Sequence, residues 1–307
     1  MGNYLSTTSK KYKRNIILNT DSYKVTHHTQ YPKGTTEIYS YFESRGGLHE
    51  TVCFYGLQYY LIEYLQGCVV TKEMIDEASD FYDEHFNNKD LFNRKGWEYI
   101  VNNCNGNLPI EIKAVPEGTC LPYKNVLFTI RNTDPKCFWL TNFLETLLVQ
   151  VWYTMTIATN SREMKKVIKK YMNDTCDNLN GIEFKLHDFG CRGVSSMETA
   201  ALGGSAHLIS FLGTDTVPAL KLTHKYYDST KSSGFSIPAT EHSTVTSWKE
   251  SGELKCMENF LDNHPSGIIA FVSDSYDIYN ACKNFWGEKL HDKLMKRNGT
   301  LVIRPDS

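Results

Sequence analysis

The 307-residue sequence holds nine cysteines but no C-x-x-C pair. The thiols stand singly at positions 53, 68, 104, 120, 137, 176, 191, 256 and 282. That odd, scattered set in a chain too long to need staples reads as reduced thiols of a cytosolic protein, most of them small core residues. No apolar run approaches the roughly 18 residues of a membrane helix, and the N-terminus lacks the apolar h-region of a signal peptide. Charge of one sign is also missing. Lys+Arg 33 against Asp+Glu 35 leaves a net charge of −2, which offers nothing to nucleic acid. There is no G-x-x-x-x-G-K-[ST], no G-x-G-x-x-G after a strand and no H-E-x-x-H, so three common readings lose their usual warrant. Neither an internal repeat nor a low-complexity stretch is present. What remains is a core-forming composition, 41% hydrophobic and 13% aromatic, long enough for one large domain or two ordinary ones.

Two basic stretches have local meaning. Met1-Gly2-Asn3-Tyr4-Leu5-Ser6 fits the myristoylation pattern and is followed by Lys10, Lys11, Lys13 and Arg14. One acyl chain plus a basic patch is a two-signal membrane anchor; the competing reading is an ordinary flexible leader over 1–14. Membrane association is expected only if Gly2 is acylated. Lys165, Lys166, Lys169 and Lys170 fall on a helical stretch and read as a solvated face, with anion steering as the alternative.

Periodicity divides the rest in two. Residues 15–180 read as an N-terminal α+β domain. Asn15–Leu18, Thr36–Phe42, Leu108–Val115 and Asn125–Ile130 are the strand candidates. Phe54–Leu65, Lys72–Phe86 and Arg94–Asn103 have helical spacing. Asp134-Pro135 opens a helix reaching about Gln150, and another runs from about Asn160 to Met172. From residue 181 strands and helices alternate. Strands are expected at 182–187, 207–211, 234–237, 268–272 and 300–304, and helices at 194–206, 215–226, 241–261 (broken near Gly252) and 275–286. Such alternation implies parallel strands with right-handed crossovers, hence an α/β barrel or a doubly wound sheet.

Each of those five strands runs into a chemically loaded turn. They carry Asp188, Phe189 and Arg192; Gly213-Thr-Asp215; Ser236 with Glu241 and His242; Ser273-Asp-Ser-Tyr-Asp277; and Arg304-Pro-Asp306. In a parallel barrel all of these project at one rim, where barrel enzymes react. Arginines 45, 192 and 304 suit phosphate or carbonyl oxygens. Asp277 and Asp306 suit sugar hydroxyls or Mg²⁺. Phe189 offers a face to a flat ring. Asp215 can accept from an amide NH₂ and would repel a ring carboxylate. His242 suits an acid, base or phosphate acceptor, with a purely structural histidine as the competing reading. Asp215 and Asp277 remain open between ligand contact and plain helix cap.

At these residues the sequence resembles the nicotinamide phosphoribosyltransferases, which are type II phosphoribosyltransferases. The resemblance is carried by Thr20-Asp-Ser-Tyr-Lys-Val-Thr-His27, Phe54-Tyr-Gly-Leu-Gln58, Ile110–Gly118, Ala158-Thr-Asn-Ser-Arg162, Leu186–Ser196, Gly213-Thr-Asp-Thr-Val217, Glu241-His-Ser-Thr244, Val272–Cys282 and Ile303-Arg-Pro-Asp-Ser307. It covers the chain from about residue 14 onward. It implies an α/β fold: a parallel β/α barrel, incomplete over 181–307, joined to the N-terminal α+β domain.

The implied reaction joins nicotinamide to the phosphoribosyl group of phosphoribosyl pyrophosphate, with Mg²⁺ brought by the substrate and touching Asp277 or Asp306. Implied contacts are Asp21, Tyr23, Arg45, Phe189, Arg192, Asp215, Ser236, Ser273 and Arg304. Phe189 and Tyr23 would sandwich the ring, Tyr23 coming from the second subunit of a homodimer. His242, Asp277 and Asp306 would be catalytic, His242 as the residue that ATP phosphorylates. A cytoplasmic enzyme of NAD salvage is the expectation.

Three departures stand out. Cys191 replaces a usual tyrosine, the loop after Arg45 is short, and the family extends about a third of its length past the position of Ser307. The last makes a truncated, non-catalytic remnant that dimerises or binds nicotinamide one alternative. Nicotinate in place of nicotinamide is the other.

Overall fold

The computed structural model describes residues 15–306. The myristoylation pattern, the basic leader and Ser307 lie outside them. By compactness the chain forms two units, one ending at Gly234 and the other starting at Phe235.

In the first unit β1 (Tyr39–Glu43), β3 (Ile110–Ala114) and β5 (Val126–Asn132) form an antiparallel sheet in the order β1-β5-β3, while β2 (Thr51–Cys53) and β4 (Cys120–Pro122) form a separate antiparallel ladder. Helices α1 (Leu57–Tyr60, continued by a π turn to Leu65), α2 (Lys72–Phe86) and α3 (Arg94–Cys104) follow the apolar spacing of the sequence. Thr71 caps α2 through Met74 N, and Asn87 ends it in the left-handed region. Two short pieces, α4 (Leu140–Phe143) and α5 (Glu145–Leu148), lead into the 25-residue α6 (Val151–Thr175).

The core centres on Trp97, whose ring meets Trp139 at 4.9 Å and Phe143 at 5.1 Å. At 1% exposure its truncation to alanine is expected to cost about 3–5 kcal/mol. Helix α6 packs on α7 (Met197–His207), and α7 on α8 (Val217–Tyr226). Residues on both sides of position 180 therefore share one compact unit. The only parallel pairing described in this unit joins β6 (His187–Asp188) to β7 (Gly213–Thr214).

The second unit holds α9 (His242–Thr246), α10 (Glu253–Asn263), β8 (Ile269–Val272), α11 (Ile278–Asn280, continued by a π segment to Lys289), α12 (His291–Lys296) and β9 (Leu301–Arg304). Strands β8 and β9 pair in parallel over four residues. All four residues of β8 are buried, and Phe271 stacks edge-on against Trp286 at 5.3 Å.

The alternation from residue 181 is present, but several strand positions differ from expectation. Asn15–Leu18 is a 3-10 turn, because the Asn15 side chain accepts from Ile17 N and ties the segment to Met74 O. The 182–187 stretch begins with left-handed Gly181 and a 3-10 turn, so extended backbone remains only at His187–Asp188. The 207–211 stretch is taken by the end of α7, and pairing starts at Gly213. No strand forms at 234–237. Pairing there is a single parallel bridge from Ala239 to Ala270, flanked by Thr240 N donating to Ala270 O and Ala270 N to Pro238 O. The 241–261 helix breaks as expected, at Glu250–Gly252. Among the described residues no helix is long and apolar enough to cross a membrane.

Candidate active site

The candidate residues fall into separate groups, and the first follows β6. Asp188 Oδ1 accepts from Gly190 N at 2.8 Å and Oδ2 from Thr214 Oγ1 at 3.1 Å. One buried-side carboxylate thus holds both strand-end turns in place. Gly213 is required, since a Cβ would stand 2.7 Å from His187 Nδ1. His187 packs on Phe189 at 4.6 Å between ring centroids, yet Phe189 remains 52% exposed and has ring surface to offer. His187 Nε2 lies 3.3 Å from Asp215 Oδ2 without an aligned hydrogen bond.

Asp215 is not the cap of α8; that position belongs to Thr216, and Pro218 fills the first turn. The Asp215 backbone N donates to Asp188 O at 2.9 Å, which fixes the residue while its side chain stays 41% exposed. Arg192 stands exposed in the 3-10 turn Gly190–Gly193. A cavity of about 310 Å³ opens beside these turns, lined by His187, Phe189, Val194 and His207 among others. His207 is buried, accepts at Nδ1 from the Ser161 hydroxyl at 2.9 Å and sits 3.3 Å from Leu186 O through Nε2. Burial pushes its pKa down.

The second group lies elsewhere in the same unit. Thr146 Oγ1 donates to Asp21 Oδ2 at 2.6 Å. Tyr23 is 60% exposed and leans on His27 at 5.1 Å. The buried Lys24 ammonium pairs with Glu145. Glu145 in turn lines a cavity of about 640 Å³ with Tyr41, Arg45 and Trp152.

The third group belongs to the second unit. His242 opens α9 behind a capping box formed by Glu241 and Thr244. Its Nε2 is 2.9 Å from Asp274 Oδ1, and its Nδ1 is 3.6 Å from Asp306 Oδ2. Asp274 Oδ2 also accepts from Asp306 N at 2.6 Å. Arg304 donates from Nη2 to Thr240 O at 2.8 Å. Its buried Nε has no hydrogen-bond partner among the described residues and lies 4.0 Å from Asp306 Oδ1. Ser236 is exposed, upstream of this cluster.

Two expected site residues are used structurally. Ser273 is fully buried; its hydroxyl donates to Phe271 O and accepts from Trp286 Nε1, each at 3.1 Å. Asp277 caps α11, Oδ1 accepting from Tyr279 N at 2.9 Å and Asn280 N at 3.0 Å. The turn after β8 also holds the residue that sequence reasoning passed over. Asp274, at 11% side-chain exposure, is the carboxylate that meets His242. In Ser273-Asp-Ser-Tyr-Asp277 every polar residue suits a helix start, and only the fold separates the cap from the histidine partner.

A family model for the nicotinamide phosphoribosyltransferase N-terminal domain matches residues 15–112. A second, for the nicotinate phosphoribosyltransferase (NAPRTase) family, matches residues 184–307. Over 299 residues the chain is 48% identical to a nicotinamide phosphoribosyltransferase of Xanthomonas campestris pv. campestris, covering 96% of this chain and 63% of that protein. It is 32% identical over 307 residues to one from Acinetobacter baylyi, covering 94% and 61%. The crystal structure of human nicotinic acid phosphoribosyltransferase shares the fold, with a TM-score of 0.61 at 15% identity over 94% of this chain and 61% of that one. The chain thus spans less than two thirds of the length of these curated relatives.

Proposed function

Because the chain belongs to the nicotinamide phosphoribosyltransferase family, we propose that the protein transfers the phosphoribosyl group of phosphoribosyl pyrophosphate to nicotinamide. The products are nicotinamide mononucleotide and pyrophosphate, a step of NAD salvage in the cytoplasm. The observation that carries the choice of nicotinamide is Asp215. Its side chain is 41% exposed and lies 3.3 Å from Nε2 of His187, whose ring packs on the exposed Phe189. A carboxylate there accepts from a carboxamide NH₂ and repels the carboxylate of nicotinate.

In this reading the first unit supplies ring recognition, with Phe189 on one face of the pyridine and Tyr23 of a second copy on the other. Arg45 and Arg192 serve phosphate oxygens. His242, Asp306 and Arg304 are groups suited to the charged parts of the reaction. Departure of pyrophosphate leaves an oxocarbenium-like sugar, so rate comes from holding the ring in line and stabilising the leaving group. Arg304, with a buried N–H to spare, suits an anionic oxygen. Ser236 is a further substrate contact in this reading.

Among the described residues no group of three or more His, Cys, Asp or Glu side chains is arranged to hold a metal ion. Mg²⁺ would arrive with the pyrophosphate substrate and meet Asp277 or Asp306. ATP would phosphorylate His242. Donation from Nε2 to Asp274 fixes the tautomer and leaves the Nδ1 lone pair as the nucleophile.

The test is nicotinamide mononucleotide formation by the protein purified from its natural source, with nicotinamide and nicotinate in parallel. A clear preference for nicotinamide that Asp215→Ala abolishes is expected. Absence of product with His242 and Asp215 intact would sink the assignment.

A further inference from the structure

We infer that Cys53 and Cys120 form an oxidisable dithiol that closes reversibly into a cross-strand disulfide between β2 and β4. The two residues lie directly opposite each other in the ladder, whose register pairs Thr51 with Pro122, Val52 with Leu121 and Cys53 with Cys120. The Cys53 backbone N donates away from β4, to Thr159 Oγ1 at 2.9 Å. The next ladder bond runs from Phe54 N to Thr119 O at 2.9 Å. That pattern makes Cys53–Cys120 a non-hydrogen-bonded pair, in which side chains share a face and Cα atoms stand about 4.5 Å apart. This spacing falls within the range that a disulfide spans.

Side-chain geometry agrees. Both thiols reach the same acceptor, Gly118 O, Cys53 Sγ at 3.9 Å and Cys120 Sγ at 3.7 Å. All nine cysteines are free thiols, and of the described ladders only β2–β4 sets one cysteine opposite another.

The two sulfurs have unequal roles. Cys120 is half-buried and Cys53 buried. Burial, and then the neighbouring Cys120 thiol, pushes Cys53 up to about 12, so Cys53 is the poorer first nucleophile. With hydrogen peroxide as oxidant, the Cys120 sulfur attacks one peroxide oxygen, the O–O bond breaks and a sulfenic acid and water result. The Cys53 sulfur then attacks the sulfenic sulfur; S–S forms, S–O breaks, and the Cys53 proton leaves with the hydroxyl as a second water. Two thiols are oxidised and one peroxide is reduced. A thiol reductant reverses the bond by exchange.

The position gives the bond a target. Lys124 N donates to Ser44 O at 2.8 Å and Tyr123 N to Glu50 O at 3.4 Å, so β4 and its continuation hold both ends of the loop that carries Arg45. A covalent tie at Cys53–Cys120 fastens the ladder from which that loop hangs.

The experiment treats the native protein with a few equivalents of hydrogen peroxide, quenches with N-ethylmaleimide and maps peptides by mass spectrometry. A Cys53–Cys120 cross-linked peptide is expected, lighter than the two separate peptides by two hydrogen atoms and lost on adding dithiothreitol. Recovery of Cys53 and Cys120 both alkylated, or of Cys120 over-oxidised with no cross-link, would overturn the inference. Cys120→Ala supplies the control. It should remove the cross-link, and capture of Cys53 by a different cysteine in that variant would contradict a specific pair. The wild-type map decides alone if the variant does not fold.

Discussion

Asp215 and Asp277 each follow a strand end and precede a helix, and the two units use them in opposite ways. Asp277 spends one oxygen on two backbone N–H groups at the start of α11. Asp215 precedes the N-cap position of α8, which Thr216 occupies, and its part-exposed carboxylate faces His187. The surroundings follow the same division. In the first unit Tyr23, Phe189 and Arg192 are each exposed. In the second, His242, Asp274, Asp306 and Arg304 form one connected cluster. A part-exposed carboxylate favours a hydrogen-bond donor over an anion. A histidine between two carboxylates has its ring orientation set by them. The same residue type at the same kind of turn is therefore no guide to role until its hydrogen bonds are counted.

The sharpest way to break this comparison is to exchange the functions of the two acids by truncation. Asp215→Ala is expected to lower kcat/KM for nicotinamide by about 100-fold, roughly 2.7 kcal/mol, while thermal stability stays unchanged; initial rates with nicotinamide and nicotinate check it. Asp274→Asn removes the acceptor that orients His242. It should cut stimulation by ATP about tenfold and leave the preference for nicotinamide intact, as read from product formation with and without ATP. Asp277→Ala should do the reverse of Asp215→Ala. Loss of the cap costs about 1 kcal/mol of stability and lowers the melting midpoint by about 2–4 °C, with ring preference unchanged.

The smallest effect concerns His207 behind the Phe189 turn. Its folded-state pKa lies below the ordinary histidine value, so the unfolded chain binds the extra proton first. The stability it contributes is present above about pH 6.5 and is lost as pH falls from there toward the lowered value. His207→Asn is expected to flatten that acid limb by up to about 1 kcal/mol, measured as the melting midpoint between pH 7 and pH 5.

Much of this was legible in the sequence, for identifiable reasons. Helix α2 has the expected bounds because its apolar spacing, the Thr71 cap and the Asn87 stop agree. The rim strands were misplaced because β6 and β7 pair over only two residues, too few to set a period of two. Ile182 and Phe184 look alternating but are turned into a 3-10 helix by left-handed Gly181. Types of residue at the strand ends were readable, since each turn carries them in a short run. Which acid meets His242 was not, because Asp274 and Asp277 are equally good helix-start residues and the choice depends on where α9 lies. The Cys53–Cys120 pair was also invisible, since only the register of a short ladder makes neighbours of thiols far apart in sequence.

The most direct test of the proposed division between Asp215 as a recognition acid and Asp277 as a capping acid is a ratio. It is kcat/KM for nicotinamide over that for nicotinate, in wild type, Asp215→Ala and Asp277→Ala. The account predicts a ratio that collapses toward unity in Asp215→Ala and holds in Asp277→Ala. A ratio untouched by Asp215→Ala, or lost in Asp277→Ala, would contradict it.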